Sequence, residues 1–228
     1  MRKARALNVV PGLPHHVVLR GNNRRRLCSY PADYGQLIFL LARATDKHAV
    51  AVHALCILSN HVHLIVTPPT TTALSSWVRG FAQPYAQRRN ARLGASGKLF
   101  EERFFAKPIG TDAQLLATVG YVDANAVMAG VADTPADYPW CSYAHYAGRG
   151  RSKTPAALLT PLPWYEGLGA GARERSDEYA RFVSEYLAHA QAVRTSTDAP
   201  LPGGDDGGAE GRAAAAPAPR RPGGIRCA

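Results

Sequence analysis

Read for period, the chain alternates between short apolar runs and longer helical repeats. His15-His16-Val17-Val18-Leu19 predicts a short strand, ended by the turn residues Gly21-Asn22-Asn23. From Asp33 to about His48, Leu37, Ile38, Leu40, Leu41 and Ala44 recur at helical spacing, with Asp33 as the expected N-cap. Val50–Leu58 predicts a second strand, Ser59-Asn60 a tight turn, and His61–Val66 the returning strand, stopped by Pro68-Pro69. A second helix is expected from Leu74 to about Arg92, with Trp77, Val78, Phe81 and Tyr85 set against Arg79, Arg88, Arg89 and Arg92. Pro84 should kink or break it. Phe100–Ile109 is the candidate last strand, and Asp112 is the expected cap of a third helix that Gly130 ends. Strand, helix, strand and hairpin strand make up the first four elements of a βαββαβ unit, an α+β architecture.

Beyond Gly148 the pattern weakens. A helix is expected near Arg175–Ala192, where Tyr179, Phe182, Val183, Tyr186 and Leu187 share one face. Residues 195–228 hold 12 Gly or Pro in 34 and almost no large apolar side chain, the composition of a disordered tail. Three regions follow: a domain over 1–148, a helical extension over 149–194 and the tail over 195–228.

Charge sharpens the picture. The net charge is +10, but residues 1–107 hold 16 Lys or Arg against 4 Asp or Glu, whereas 108–228 hold 11 against 13. A basic N-terminal half points to a polyanion, with nucleic acid the first expectation. Cys28, Cys56, Cys141 and Cys227 are widely spaced and form no CxxC pair, which argues against a zinc ribbon or a disulfide framework. No apolar run approaches the length of a membrane span and the basic start lacks the apolar stretch of a leader, so a cytoplasmic protein is expected.

The chemistry centres on Ser59-Asn60-His61-Val62-His63-Leu64-Ile65-Val66. Strand side chains alternate, so His61 and His63 share a face about 7 Å apart along the strand and can converge on one metal ion. The third helix carries Tyr121 and Asn125 at i and i+4, again on one face. Together they suggest a phenolate nucleophile attacking a phosphodiester that a metal on His61 and His63 polarises, with Asn125 offering a third ligand. A phenol of pKa near 10 needs the metal or a nearby cation to become competent. Tyr85 is a weaker candidate nucleophile whose ordinary role is packing. His53 reads as structural, and His15 and His16 as residues that open the first strand.

The wider pattern resembles a known family. "SNHVHLIV" is similar to the His-hydrophobic-His (HUH) motif of IS200/IS605-type single-tyrosine transposases. "HHVVLRGNNRR", "HALCILSNHVHLIV", "GKLFEERFFAKPI", "YVDANAVMAG" and "YPWCSY" stand in that family's order and spacing over about residues 12–146. The likeness is greatest to the REP-associated tyrosine transposases. It implies a ferredoxin-like βαββαβ sandwich on an antiparallel sheet that dimerises. It also implies cleavage and strand transfer of single-stranded DNA through a 5′-phosphotyrosine link, at hairpin-forming repeats. Position by position, His61 and His63 match the metal ligands, Asn125 the third ligand and Tyr121 the nucleophile. Arg103 falls in the segment matching the family's W-E-G-R-F. With Arg20, Arg24, Arg25, Arg26 and Lys107 it is an expected DNA contact of the backbone-positioning kind. The implied cofactor is divalent, Mg²⁺ or Mn²⁺, and two imidazoles with one amide oxygen suit Mn²⁺ better.

Three positions depart from the family pattern. Its usual N-P-V reads Asn125-Ala126-Val127, the often basic residue before the tyrosine is Gly120, and Pro84 stands where an ordinary helix residue is usual. Gly120 implies weaker local phosphate binding and a looser helix. Two other readings of the same residues remain: a DNA-hairpin-binding protein without transposition activity, and a small H-x-H metallohydrolase.

Overall fold

The computed structural model describes residues 9–101 and 103–197, without the side chains of 195–197. β1 (His15–Arg20), β2 (Ala51–Ile57), β3 (His61–Thr67) and β4 (Phe105–Pro108) form an antiparallel sheet in the order β2-β3-β1-β4. With the helices between them this is the ferredoxin-like βαββαβ arrangement. Register fixes the two faces. Val62, Leu64 and Val66 of β3 lie opposite Leu19, Val17 and His15 of β1, and Ile57, Leu55 and Val52 of β2 continue that layer. It is the dry face: every one of these apolar residues is at most 3% exposed. His61 and His63 lie on the other face, opposite Arg20 and Val18, with Lys107 of β4 opposite His16.

α1 (Pro31–His48) and α2 (Ala73–Leu93) pack on each other and cover the dry face. α1 starts at a Tyr30 cap, not at Asp33. Asp33 sits one turn in and reaches back to accept the backbone N–H of Ser29 (2.8 Å) and of Tyr30 (3.1 Å), while Arg89 and Arg92 of α2 pair with its carboxylate. Burial alone would raise the Asp33 pKa, but those four donors leave it below the usual value. α2 runs unbroken through Pro84. The missing N–H and ring clash cost a helix interior about 3 kcal/mol. Here Trp77, Phe81 and Tyr85, all at most 2% exposed, hold the helix together from its buried face.

α3 (Asp112–Met128) crosses the opposite face of the sheet over β2 and β3. Its cap is Thr111, whose Oγ1 accepts the Gln114 N–H at 3.2 Å, and not Asp112 as expected. Asp112 instead begins the first turn, where a negative charge suits the helix dipole. Trp140 and Ser142 then close the free edge of β2: Ile57 N–H donates to the Trp140 carbonyl and Ser142 N–H to that of Leu55, both at 2.9 Å. After the short α4 (Tyr143–Tyr146) and α5 (Pro163–Glu166), α6 (Ala172–Thr197) packs along α3. Tyr179, Phe182 and Val183 of α6 join the main core. The boundary expected at 194 falls within this helix, and the tail from 198 onward lies outside the described residues. No helix among the described residues is long and apolar enough to cross a membrane. Cys28, Cys56 and Cys141 are buried free thiols; Cys227 is not among the described residues.

Candidate functional site

The turn between β2 and β3 is clamped before any side chain matters. The Ser59 carbonyl accepts the N–H groups of Leu27 (2.6 Å) and Cys28 (3.0 Å), and the Asn60 carbonyl that of Gly21 (2.8 Å). Gly21 is required there, since a Cβ would lie 2.0 Å from the Arg25 carbonyl oxygen. The histidine strand and the Gly-Asn-Asn-Arg loop therefore form one backbone-bonded unit.

From that turn, β3 carries His61 and His63 on the face under α3, with ring centroids 4.8 Å apart. α3 lays Tyr121 and Asn125 over them. The Tyr121 ring meets His63 edge-on at 5.2 Å, and the Asn125 side chain one turn on favours its ionised form. The Asn125 Oδ1 lies 3.4 Å from His61 Nε2. The four residues read from the sequence thus converge, and all four belong to one chain.

Burial, with Arg20 nearby, lowers the His61 pKa despite its Asn125 contact, so the ring is neutral and has a single N–H. It faces two carbonyl oxygens: Asn60 Oδ1 at 2.8 Å from Nδ1, and Asn125 Oδ1 at 3.4 Å from Nε2. The shorter contact claims the proton. In that tautomer Nε2 and the Asn125 Oδ1 present two acceptors 3.4 Å apart, an arrangement that suits a cation. His63, 3% exposed, is held well below its usual pKa by burial, then by His16, His61 and Arg20. The donor set fits a divalent ion through two neutral imidazoles and one amide oxygen. Among the described residues, no three His, Cys, Asp or Glu side chains form a metal cluster.

One site residue escaped sequence reasoning. His15 and His16 both open β1, but their neighbouring positions send them to opposite faces. His15 is fully buried on the dry side, its Nδ1 against the Leu13 carbonyl (2.8 Å) and its Nε2 accepting the Val10 N–H (3.1 Å). His16 enters the site, with Nε2 3.1 Å from His63 Nδ1 and its ring edge-on to Tyr121 at 5.9 Å. Burial, with Lys107 nearby, lowers its pKa to about 4. Strand phase carried the signal: His16 stands an even step from Arg20, which pairs with His61.

The remaining histidine and tyrosine candidates fall outside the site. His53 spends both nitrogens on Thr160 O and Thr67 Oγ1, each at 2.8 Å. Tyr85 donates to the Leu27 carbonyl at 2.6 Å from inside the core and plays the packing role. Among the basic residues, Arg20 and Lys107 are exposed on the site face, and Arg20 and Arg103 line a cavity of about 520 Å³ between α2 and residues 98–104. Arg24 and Arg26 are exposed on the neighbouring loop, and Arg25 donates to the Lys98 carbonyl at 3.4 Å.

The helix that carries the nucleophile candidate is pinned from behind. Asp123 is fully buried and accepts the Ser142 and Tyr179 hydroxyls, each at 2.6 Å. Burial pushes its pKa up to about 6 against the pull of those two bonds. Gly120 does not loosen the helix: a Cβ there would lie 2.6 Å from the Tyr186 ring of α6, so hydrogen at this position lets the two helices meet. Tyr121 is half-buried, and burial raises its pKa, against Asn125 and Arg20.

A family model described as "Transposase IS200 like" matches residues 9–125. Among solved structures, a REP-associated tyrosine transposase bound to a REP hairpin superposes with a TM-score of 0.54 at 18% identity, covering 71% of this chain and 91% of that one. A candidate transposase from Deinococcus radiodurans matches at 14% identity with a TM-score of 0.38, covering 57% and 98%, and no argument rests on it. No curated protein matches the chain.

Proposed function

Because the chain belongs to the IS200-like transposase family, we propose that it cuts and rejoins single-stranded DNA through Tyr121. The convergence of Tyr121 and Asn125 on His61 and His63 carries this reading. The Tyr121 oxygen loses its proton and attacks phosphorus. One O–P bond forms, the bond to the 3′-oxygen breaks, and that oxygen takes up a proton as a 3′-hydroxyl. The 5′-phosphate stays on the tyrosine as an ester, so a second 3′-hydroxyl can reverse the step on another strand without ATP.

His61 Nε2, His63 and the Asn125 oxygen would hold Mg²⁺ or Mn²⁺, which supplies positive charge to the attacked phosphate. Tyr121 needs such help, since its surroundings otherwise favour the neutral phenol. Asn125 serves both sides, favouring the ionised nucleophile and facing His61. Arg20 and Lys107 flank the site, and Arg24, Arg25, Arg26 and Arg103 extend a basic path for the DNA backbone. The solved REP-hairpin complex supports a hairpin-forming repeat as the substrate. One nucleophilic tyrosine per chain, with two ends to cut, supports action as a homodimer of two complete sites.

The test is direct. End-labelled single-stranded hairpins from the repeats flanking the protein's own locus, incubated with protein and Mn²⁺ or Mg²⁺, should give a metal-dependent, denaturation-resistant adduct carrying the 3′ part of the DNA. Tyr121→Phe should bind the hairpin and form no adduct. Unchanged adduct yield in that variant removes Tyr121 as nucleophile. Multiple-turnover cleavage without adduct makes the site a hydrolase, and tight binding with no product makes it a hairpin-binding module.

A further inference from the structure

The contact between His16 and His63 has a consequence for which nitrogen of His63 faces the site. Their ring centroids are 5.3 Å apart, their planes 19° apart, and His16 Nε2 is 3.1 Å from His63 Nδ1. The centroid separation exceeds the N···N distance by only the two ring radii. The rings therefore meet edge to edge, nearly coplanar, as an N–H···N hydrogen bond requires, and not face on.

One proton lies between those nitrogens, and its owner matters. If His16 donates, His63 Nδ1 accepts, and a neutral His63 carries its proton on Nε2, with the His61 and Tyr121 rings 4.8 and 5.2 Å from its own. If His63 donates, its Nε2 becomes a lone pair. We propose that His16 is a positioning residue that accepts the Nδ1–H of His63 and so holds His63 Nε2 as a lone pair directed into the site. The inference rests on the reading above, in which His63 serves a cation. His63 is then held in the same way as His61, whose Nδ1 lies 2.8 Å from Asn60 Oδ1, a contact that favours the proton on Nδ1 and leaves Nε2 bare. Each imidazole has its own acceptor behind it, an amide oxygen from the turn for one and a neighbouring-strand imidazole for the other. Such partners fix ring orientation and raise ligand basicity. The support is built in by register, because His16 and His63 come from the paired strands β1 and β3.

His16 also accounts for how a 3% exposed imidazole avoids an orphaned nitrogen. Leu, Val or Phe at 16 would fill the space and take away the nitrogen that His63 Nδ1 bonds in the native fold.

The experiment reads the tautomer and the metal separately. Long-range ¹H–¹⁵N correlation spectra of the metal-free full chain at neutral pH should show His63 protonated on Nδ1 and bare on Nε2. His16→Gln, which keeps an acceptor at the reach of Nε2, should retain this pattern. His16→Phe should lose it and bind Mn²⁺, read by the free-ion EPR signal, about 10–100-fold more weakly. A wild-type His63 protonated on Nε2 overturns the proposal. So does a His16→Phe protein that keeps both the wild-type tautomer and the wild-type Mn²⁺ affinity. If His16→Phe does not fold, the wild-type spectrum and the Gln variant decide. A wild-type protein with the expected tautomer but no Mn²⁺ binding would sink the metal reading while leaving the assignment of His16 standing.

Discussion

Replacing Asp123 by Asn should remove a pH dependence that the native fold imposes on itself. In the folded chain this carboxyl has no solvent access and a pKa of about 6, against an ordinary 3.8. Below about pH 4 both folded and unfolded chains hold the proton, and the site costs nothing extra. Between the two values the unfolded chain releases the proton while the folded chain keeps it, so stability falls as pH rises. Above pH 6 the fold carries a buried carboxylate and the loss is complete. A shift of about two units corresponds to about 3 kcal/mol. Bonds from Ser142 and Tyr179 reduce the penalty without cancelling it. The amide of the Asp123→Asn side chain would retain one carbonyl acceptor and have nothing to ionise. Urea unfolding of both proteins from pH 4 to 8, plotted as the difference in unfolding free energy, isolates this group from other carboxylates such as Asp33, whose depressed pKa contributes the opposite sign at lower pH. The wild type should lose about 3 kcal/mol relative to Asp123→Asn across the window, mostly between pH 4 and 6. Parallel curves would refute the assignment of the raised pKa to this site.

Two further outcomes follow from the packing and the charge. Gly120→Ala should destabilise by about 1–3 kcal/mol through overpacking against Tyr186, outweighing the roughly 1 kcal/mol that alanine gains over glycine in a helix; a raised Tm would contradict it, and adding Tyr186→Ala should recover part of the loss. Arg20→Gln should weaken single-stranded DNA binding and flatten the slope of log K against log salt by about 0.7, the share of one phosphate contact. An unchanged slope would remove Arg20 from the backbone path.

How much was legible depended on whether the signal was periodic or relational. The strands and helices followed from apolar spacing, and His61, His63, Tyr121 and Asn125 from short spacings whose geometry is local. His16 was invisible beside His15, because two adjacent histidines differ only in strand phase, and the pairing partner decides which face is the site. Asp123 carries no signal in its own segment, because its importance comes from Ser142 and Tyr179, 19 and 56 positions away. Asp33 looked like a cap because acids favour helix starts, but Pro31 takes the first helical position and moves the cap back to Tyr30. Gly120 suggested slack because a glycine's neighbours across a helix pair leave no trace in its own segment.

The backbone bonds from Gly21, Leu27 and Cys28 to Ser59 and Asn60 tie the arginine loop directly to the turn that opens the histidine strand. On the proposed function, a strand held by Arg24, Arg25 and Arg26 would reach Tyr121 at an offset set by protein backbone and not by side-chain reach. In that reading the molecule would work as a ruler: the cut would fall a fixed contour length from the grip, and moving the anchoring feature of the DNA by one nucleotide should move the cut with it.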